Sequence, residues 1–153
     1  MKHIKTELPF PSSQHTLIRK FANPHSHHQL ITGGGTGIGS SAARVWAHAS
    51  ALGIIILGRR IEPLEETALQ IRAINAETKV LVIKTDVSID DEVKHVFQQT
   101  HKVFGRGPDV VLLCAAVLEP SRLVHEMGTD EWWGYMVCFF ICLFASCCEY
   151  MKI

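Results

Sequence analysis

The stretch Thr32-Gly33-Gly34-Gly35-Thr36-Gly37-Ile38-Gly39 places five glycines in eight residues. Leu30-Ile31-Thr32 just before it ends a short apolar run, and a helical pattern begins within it. A glycine cluster on its own is no more than a flexible loop. Between a strand and a helix it becomes specific, because each glycine then has work to do. Gly33 lets the chain turn sharply off the strand, Gly37 lets backbone approach a pyrophosphate closely, and Gly39 lets the helix pack against the strand. The helix start adds N–H groups with no intrahelical partner and the positive end of a dipole.

Working outward, the first helix is expected from about Gly37 to Ala51, with Ala42, Val45, Trp46 and Ala49 on its apolar face. Ile54-Ile55-Ile56-Leu57 is an unbroken apolar run, as a parallel strand covered on both faces requires. Pro63 suits the first turn of a second helix, whose stripe is Leu64, Ala68, Ile71 and Ile74. Val80-Leu81-Val82-Ile83 reads as the third strand. Ser88, with Asp91 three residues on, offers an N-cap to a third helix lined by Val93, Val96, Phe97, Thr100 and Phe104. Gly105 and Gly107 end that helix, and Val110-Val111-Leu112-Leu113 is the fourth strand. Strands alternating with amphipathic helices predict an α/β fold, a Rossmann-like doubly wound parallel sheet, with the strands in the order 3-2-1-4.

The run Thr-Gly-x-x-x-Gly-Ile-Gly resembles the signature of the short-chain dehydrogenase/reductase family. Further matches follow in order over residues 29–136: Gly58-Arg59-Arg60 after the second strand, Asp86-Val87 after the third, Cys114-Ala115-Ala116 where the family reads Asn-Ala-Gly or Asn-Ala-Ala, and Glu131-Trp132-Trp133 at the next helix. The resemblance implies an NAD(P)-binding fold for alcohol/ketone oxidoreduction. It implies cofactor contacts at Gly33, Gly35, Thr36, Gly37, Ile38, Gly39, Arg59, Arg60, Asp86, Val87 and Ala115. The second strand ends without the acid that holds the ribose 2′-OH in NAD sites. Arginine pairs bidentately with a 2′-phosphate, so Arg59 and Arg60 favour NADP over NAD, unless they only cover the surface.

The family's chemistry needs a Tyr-x-x-x-Lys pair, a Ser and a helix Asn. By resemblance the Tyr is the acid/base, and a neighbouring Lys lowers a phenol pKa that is otherwise about 10. None of these is present in the 153 residues: Tyr150 and Lys152 have the wrong spacing, and Phe139 stands where the Asn is due. No catalytic residue is therefore assigned. Residues 137–153, apolar and Cys-rich, keep no family position. Val137-Cys138 can be encoded by GTATGT, a common intron start, and a translated, unspliced intron is the expected origin of that tail. The family sheet continues past its fourth strand, so a chain ending here is expected to leave an apolar edge and to be poorly soluble or marginally stable.

Composition narrows the alternatives. Hydrophobic residues are 47% and charged residues 20%, with 15 Lys+Arg against 15 Asp+Glu. That balance gives no reason to expect nucleic acid, which draws a basic excess. Four of the five cysteines crowd the C-terminus, in neither a zinc nor a disulfide spacing, so reduced thiols and a cytoplasmic protein are expected. His25, His27 and His28 lack a nearby Cys or carboxylate and read as a solvated loop at the end of an irregular leader, residues 1–28, rather than a metal site. The charge-free stretch Trp132–Cys148 has 17 residues, short of the roughly 20 a spanning helix needs. A tail-anchored protein is thus a third reading, behind a non-catalytic nucleotide-binding or dimerisation module. A small-molecule substrate is expected only in a complete form, and homo-oligomerisation stays open.

Overall fold

Isoleucine and leucine at four consecutive positions, 54–57, leave β2 no polar face, and each of the four is at most 2% exposed. A computed structural model describes residues 27–116, 126–130, 132 and 133. The element order is β1 (His28–Thr32), α1 (Gly37–His48), β2 (Gly53–Gly58), α2 (Ile61–Ile74), β3 (Lys79–Lys84), α3 (Asp90–Phe104) and β4 (Val110–Leu113). The four strands are parallel, in the order β3-β2-β1-β4. That is the order expected from the alternation.

Because β2 is apolar throughout, it supplies both faces of the sheet. Ile54 and Ile56 join Ile31, Ala43, Ala47, Leu64, Ala68 and Ile71 under α1 and α2. Ile55 and Leu57 join Leu30, Val93, Val96 and Phe97 under α3. The stripes expected on α2 and α3 are the ones that pack. Gly105 closes α3 in the left-handed conformation at φ 74°, a backbone that glycine adopts without a Cβ penalty. β4 is hydrogen-bonded to β1, and no other strand among the described residues pairs with it.

Four local expectations need correction. On α1 the buried residues are Gly39, Ser40, Ala43 and Ala47, whereas Val45 is 65% exposed. The helix sits so close to the sheet that its contact stripe is made of small residues, one turn apart. It also ends at His48, and Ser50 turns the chain away at φ 58°. Ser88 does not cap α3. Its N–H and hydroxyl both donate to Asp86, and Ile89 occupies the cap position with no side-chain bond. Finally, His27 and His28 are buried, and His28 belongs to β1 rather than to a leader.

The burial of His28 has a direct cause in Gly53, its strand partner. A Cβ at Gly53 would come within 2.6 Å of the His28 ring and 2.7 Å of Phe104. With that space open, the imidazole packs on Phe104 at 4.6 Å between centroids. The His28 N–H donates to the Asp109 carboxylate at 2.8 Å, and Nδ1 lies 3.5 Å from the same oxygen. Burial, then Arg106, Lys79 and His27, push the His28 pKa down. The imidazole is therefore neutral at pH 7, and its contact with Asp109 is polar rather than ionic.

His25, the apolar stretch from residue 134 onward and the tail cysteines lie outside the described residues. Among the described residues no helix is long and apolar enough to cross a membrane, and no cluster of His, Cys, Asp and Glu is placed to hold a metal.

Candidate functional site

Parallel strands end together, and here the ends form a cleft. Thr32 of β1 stands level with Leu57 of β2 and Leu113 of β4. After β1 the chain goes to α1 on one face, and it reaches β4 from α3 on the other face. The sheet order reverses between β1 and β4, which is where ligands bind in open α/β sheets. The cleft at that point has a volume of about 410 Å³, within the range of small-molecule and cofactor sites.

Its floor is the glycine turn. Gly33 has φ 66°, and a Cβ there would meet the Cys114 carbonyl at 2.9 Å and Ala115 at 3.0 Å. The turn thus lies directly on the chain leaving β4. Thr32 locks the same junction, because its buried hydroxyl oxygen accepts from the N–H groups of Cys114 and Ala115, each at 3.0 Å. A Cβ on Gly39 would press into the Gly33 carbonyl, so this glycine fits the helix to the turn itself more than to the strand. Gly37 is different. At φ 56° it has nothing within 4 Å of an added Cβ, and it faces open cleft.

The start of α1 is prepared for an anion. Thr36 stands at the cap position and makes no side-chain bond to the helix, and the first turn contains no acid. By contrast α2 carries Glu62 in its first turn, and α3 carries Asp90, Asp91 and Glu92. Acids at those two starts complement the dipole from within, whereas α1 leaves its free N–H groups and positive end to a ligand. The fit to a dinucleotide therefore rests on three features: the open space beside Gly37, the uncapped helix start and the arginines at the rim.

Ten of the eleven expected cofactor residues line this one cleft: Gly33, Gly35, Thr36, Gly37 and Ile38 from the turn, Arg59 and Arg60 after β2, Asp86 and Val87 after β3, and Ala115 after β4. Gly39 lies behind the lining. The sequence reading had not named Gly58, Pro63, Leu64, Thr85, Cys114 or Ala116 as site residues, and they complete the wall. Pro63 and Leu64 were visible as a helix start, but nothing in their spacing tells that this start reaches the glycine turn. Burial pushes the Cys114 thiol up, so it stays protonated at neutral pH and does not behave as a nucleophile.

Asp86 is the best-held polar group of the cleft. Its carboxylate accepts from the Ser88 hydroxyl at 2.7 Å and the Ser88 N–H at 3.0 Å, and its own N–H donates to Glu92 at 2.7 Å. The Ser88 bonds, with a smaller contribution from Arg59, hold its pKa below the ordinary carboxylate value. A lowered folded pKa means that the unfolded chain binds the proton more tightly. The stabilisation is thus complete above the unfolded value, about 3.9, and is lost as pH falls through the folded one. The stability deficit of Asp86→Asn is expected at pH 7 and is expected to vanish in strong acid, measured as urea midpoints of the two proteins across pH. An equal deficit at both ends would show that the charge does not matter.

The comparisons with known proteins agree with this geometry. A "Probable 2,4-dienoyl-CoA reductase" of Caenorhabditis elegans is 37% identical over 87 residues, 57% of this chain and 28% of its own length. An uncharacterized oxidoreductase of Staphylococcus aureus is 30% identical over 103 residues, 67% of this chain and 42% of its own length. The chain thus spans less than half the length of these curated relatives. The crystal structure of levodione reductase superposes with a TM-score of 0.77 at 24% identity, over 83% of this chain and 48% of that one. That of L-sorbose reductase from Gluconobacter frateurii, complexed with NADPH and L-sorbose, gives a TM-score of 0.68 at 23% identity, over 78% of this chain and 44% of that one. Residues 27–152 match the short chain dehydrogenase model, so the match runs past residue 136 into the tail expected to keep no family position. On the glycine turn, the strand order and this match, the chain belongs to the short chain dehydrogenase family.

Proposed function

We propose that the chain is the dinucleotide-binding portion of an NAD(P)-dependent oxidoreductase, that it prefers NADP, and that these 153 residues alone do not transfer hydride. The observation that carries the reading is the single cleft that gathers the glycine turn, the acid-free start of α1 and the Arg59–Arg60 pair. In this reading the turn and the helix start take the pyrophosphate, the two arginines take the 2′-phosphate, and Asp86 and Val87 border the adenine. The L-sorbose reductase neighbour was crystallised with NADPH. The 153 residues hold no Tyr-x-x-x-Lys, the pair from which the family's general acid/base comes. In complete relatives the reaction class would be alcohol/ketone oxidoreduction, and a small-molecule substrate enters only there. The cytoplasm is the proposed location, on the cysteine spacing, which suits neither a disulfide framework nor a zinc site.

Titration of the purified chain with NADPH and NADH, followed by nicotinamide fluorescence, tests this. Saturable binding that is tighter for NADPH, with no carbonyl-dependent loss of absorbance, is the expected result. A folded chain that binds neither dinucleotide would overturn it. Turnover would overturn only the inactive part. A non-catalytic dimerisation module is the second reading, favoured by the β4 edge, which no described strand pairs. It predicts a dimer in sedimentation that persists without cofactor. The proposal that residues 137–153 are a translated intron is tested by sequencing the spliced transcript across the codons of residues 132–153.

A further inference from the structure

We infer that Thr67, in the middle of α2 and outside every expected site, is a positioning residue that orients the glycine turn for a phosphate; the inference rests on the dinucleotide reading of the cleft. A helical threonine ordinarily bonds its hydroxyl to a carbonyl of its own preceding turn. Thr67 instead donates to the Gly35 carbonyl at 3.3 Å, across 32 residues of sequence. Its side chain is buried, with 2% exposure, so water does not replace the bond. The neighbouring contacts leave little play. A Cβ on Gly35 would lie 3.1 Å from the Pro63 Cβ and 3.2 Å from the Leu64 nitrogen, so the first turn of α2 abuts Gly35. On the other side, the Gly34 N–H donates to the Leu57 carbonyl at 3.0 Å.

The consequence follows from peptide geometry. In a trans peptide the carbonyl and the next N–H point in opposite directions. Holding the Gly35 oxygen toward α2 therefore directs the Thr36 N–H away from α2. Gly35 has no Cβ to restrict its ψ, so the orientation of the Gly35–Thr36 peptide depends on the bonds that hold its carbonyl more than it would after a residue with a side chain. Flipped, it would offer an oxygen rather than an N–H to an anion at the start of α1, and a phosphate repels a carbonyl oxygen. Thr67 fixes the sign of the dipole that this peptide presents, without touching the ligand.

Thr67→Val keeps the shape and burial of the side chain and removes only the hydroxyl, whereas Thr67→Ser keeps the hydroxyl. Two readouts on the full chain are needed. In the ligand-free protein, hydrogen exchange of the Gly34 and Ser40 amides, which are hydrogen-bonded on either side of the Gly35–Thr36 peptide, is expected to quicken roughly fivefold in Thr67→Val, the worth of one net hydrogen bond, with β2 and β3 amides unchanged. NADPH affinity, read by fluorescence titration, is expected to weaken by about the same factor, and Thr67→Ser is expected to restore both. Unchanged exchange at Gly34 and Ser40 in Thr67→Val overturns the inference. So does uniformly faster exchange across the sheet, which marks a merely structural residue. If the wild-type chain binds no NADPH, the cofactor reading fails on its own, and the exchange data still decide whether Thr67 holds the turn.

Discussion

Gly39→Ala is expected to unfold the domain in large part, while the same substitution two positions earlier is not. The added methyl at residue 39 would press into the Gly33 carbonyl oxygen and carbon, and its third neighbour is the Gly34 Cα, 3.2 Å away. All three are backbone atoms, and none can swing aside as a side chain would. Gly33 is itself held, because its left-handed backbone rests on Cys114 and Ala115 and the Thr32 hydroxyl ties those two residues to β1. The strain must then lift α1. Its contact stripe of Ala43 and Ala47, at most 1% exposed, works only at close range. Overpacking against fixed atoms costs about 3 kcal/mol, a large share of the roughly 5–15 kcal/mol that holds a domain together. At Gly37 an added methyl meets nothing within 4 Å. The cost there is only the left-handed backbone at φ 56°, about 1–2 kcal/mol. Urea unfolding of the three proteins measures the difference, and equal losses at 37 and 39 would defeat the explanation. Gly37→Ala should still bind dinucleotide poorly, because its methyl stands in the open cleft.

The contrast between the two glycines also shows what a sequence discloses and what it hides. The strand order and the α2 and α3 stripes follow from periodicity, since Leu64, Ala68 and Ile71 or Val93, Val96 and Phe97 are apolar residues among polar ones. The α1 stripe does not stand out in that way. Alanines occur on two sides of this helix, and the larger residue, Val45, is the one in solvent. Only the interhelical and helix–sheet distance, which no local pattern records, selects Gly39, Ala43 and Ala47. The site divides similarly. Residues that follow a strand end, such as Arg59, Arg60, Asp86 and Ala115, could be placed from the motif order alone. Thr67 could not, because a threonine in an apolar stripe looks like packing until its partner 32 residues away is known. Nor could the loss of Ser88 as a cap be foreseen, since Asp86 competes for its hydroxyl and N–H only once the loop is bent. Gln29 is a further case: its amide is fully buried in β1 with neither oxygen nor nitrogen bonded, and no pattern in the sequence marks it.

Removing either arginine at the end of β2 is expected to separate the two dinucleotides. Arg59 and Arg60 are exposed at the rim of the cleft and form no salt bridge with an acid among the described residues, so their guanidinium groups are available to a ligand. A charge-assisted bond from one of them to a 2′-phosphate contributes about 1.5–3 kcal/mol, or roughly ten- to a hundredfold in affinity. NADH has no such phosphate, so its affinity should hold within about twofold, a change below 0.5 kcal/mol. Arg59→Ala and Arg60→Ala thus each lower NADPH binding against a fixed NADH background, and the double variant loses the preference. Arg59 carries a second signature. It contributes to holding the Asp86 pKa down, so Arg59→Ala moves that pKa upward and shifts the acid limb of the stability curve to higher pH. Arg60 is not among the groups acting on Asp86, and Arg60→Ala should leave the limb in place. Equal loss of NADPH and NADH in these variants would mean that the arginines only cover the surface, and the preference for NADP would fall while the glycine turn kept its role.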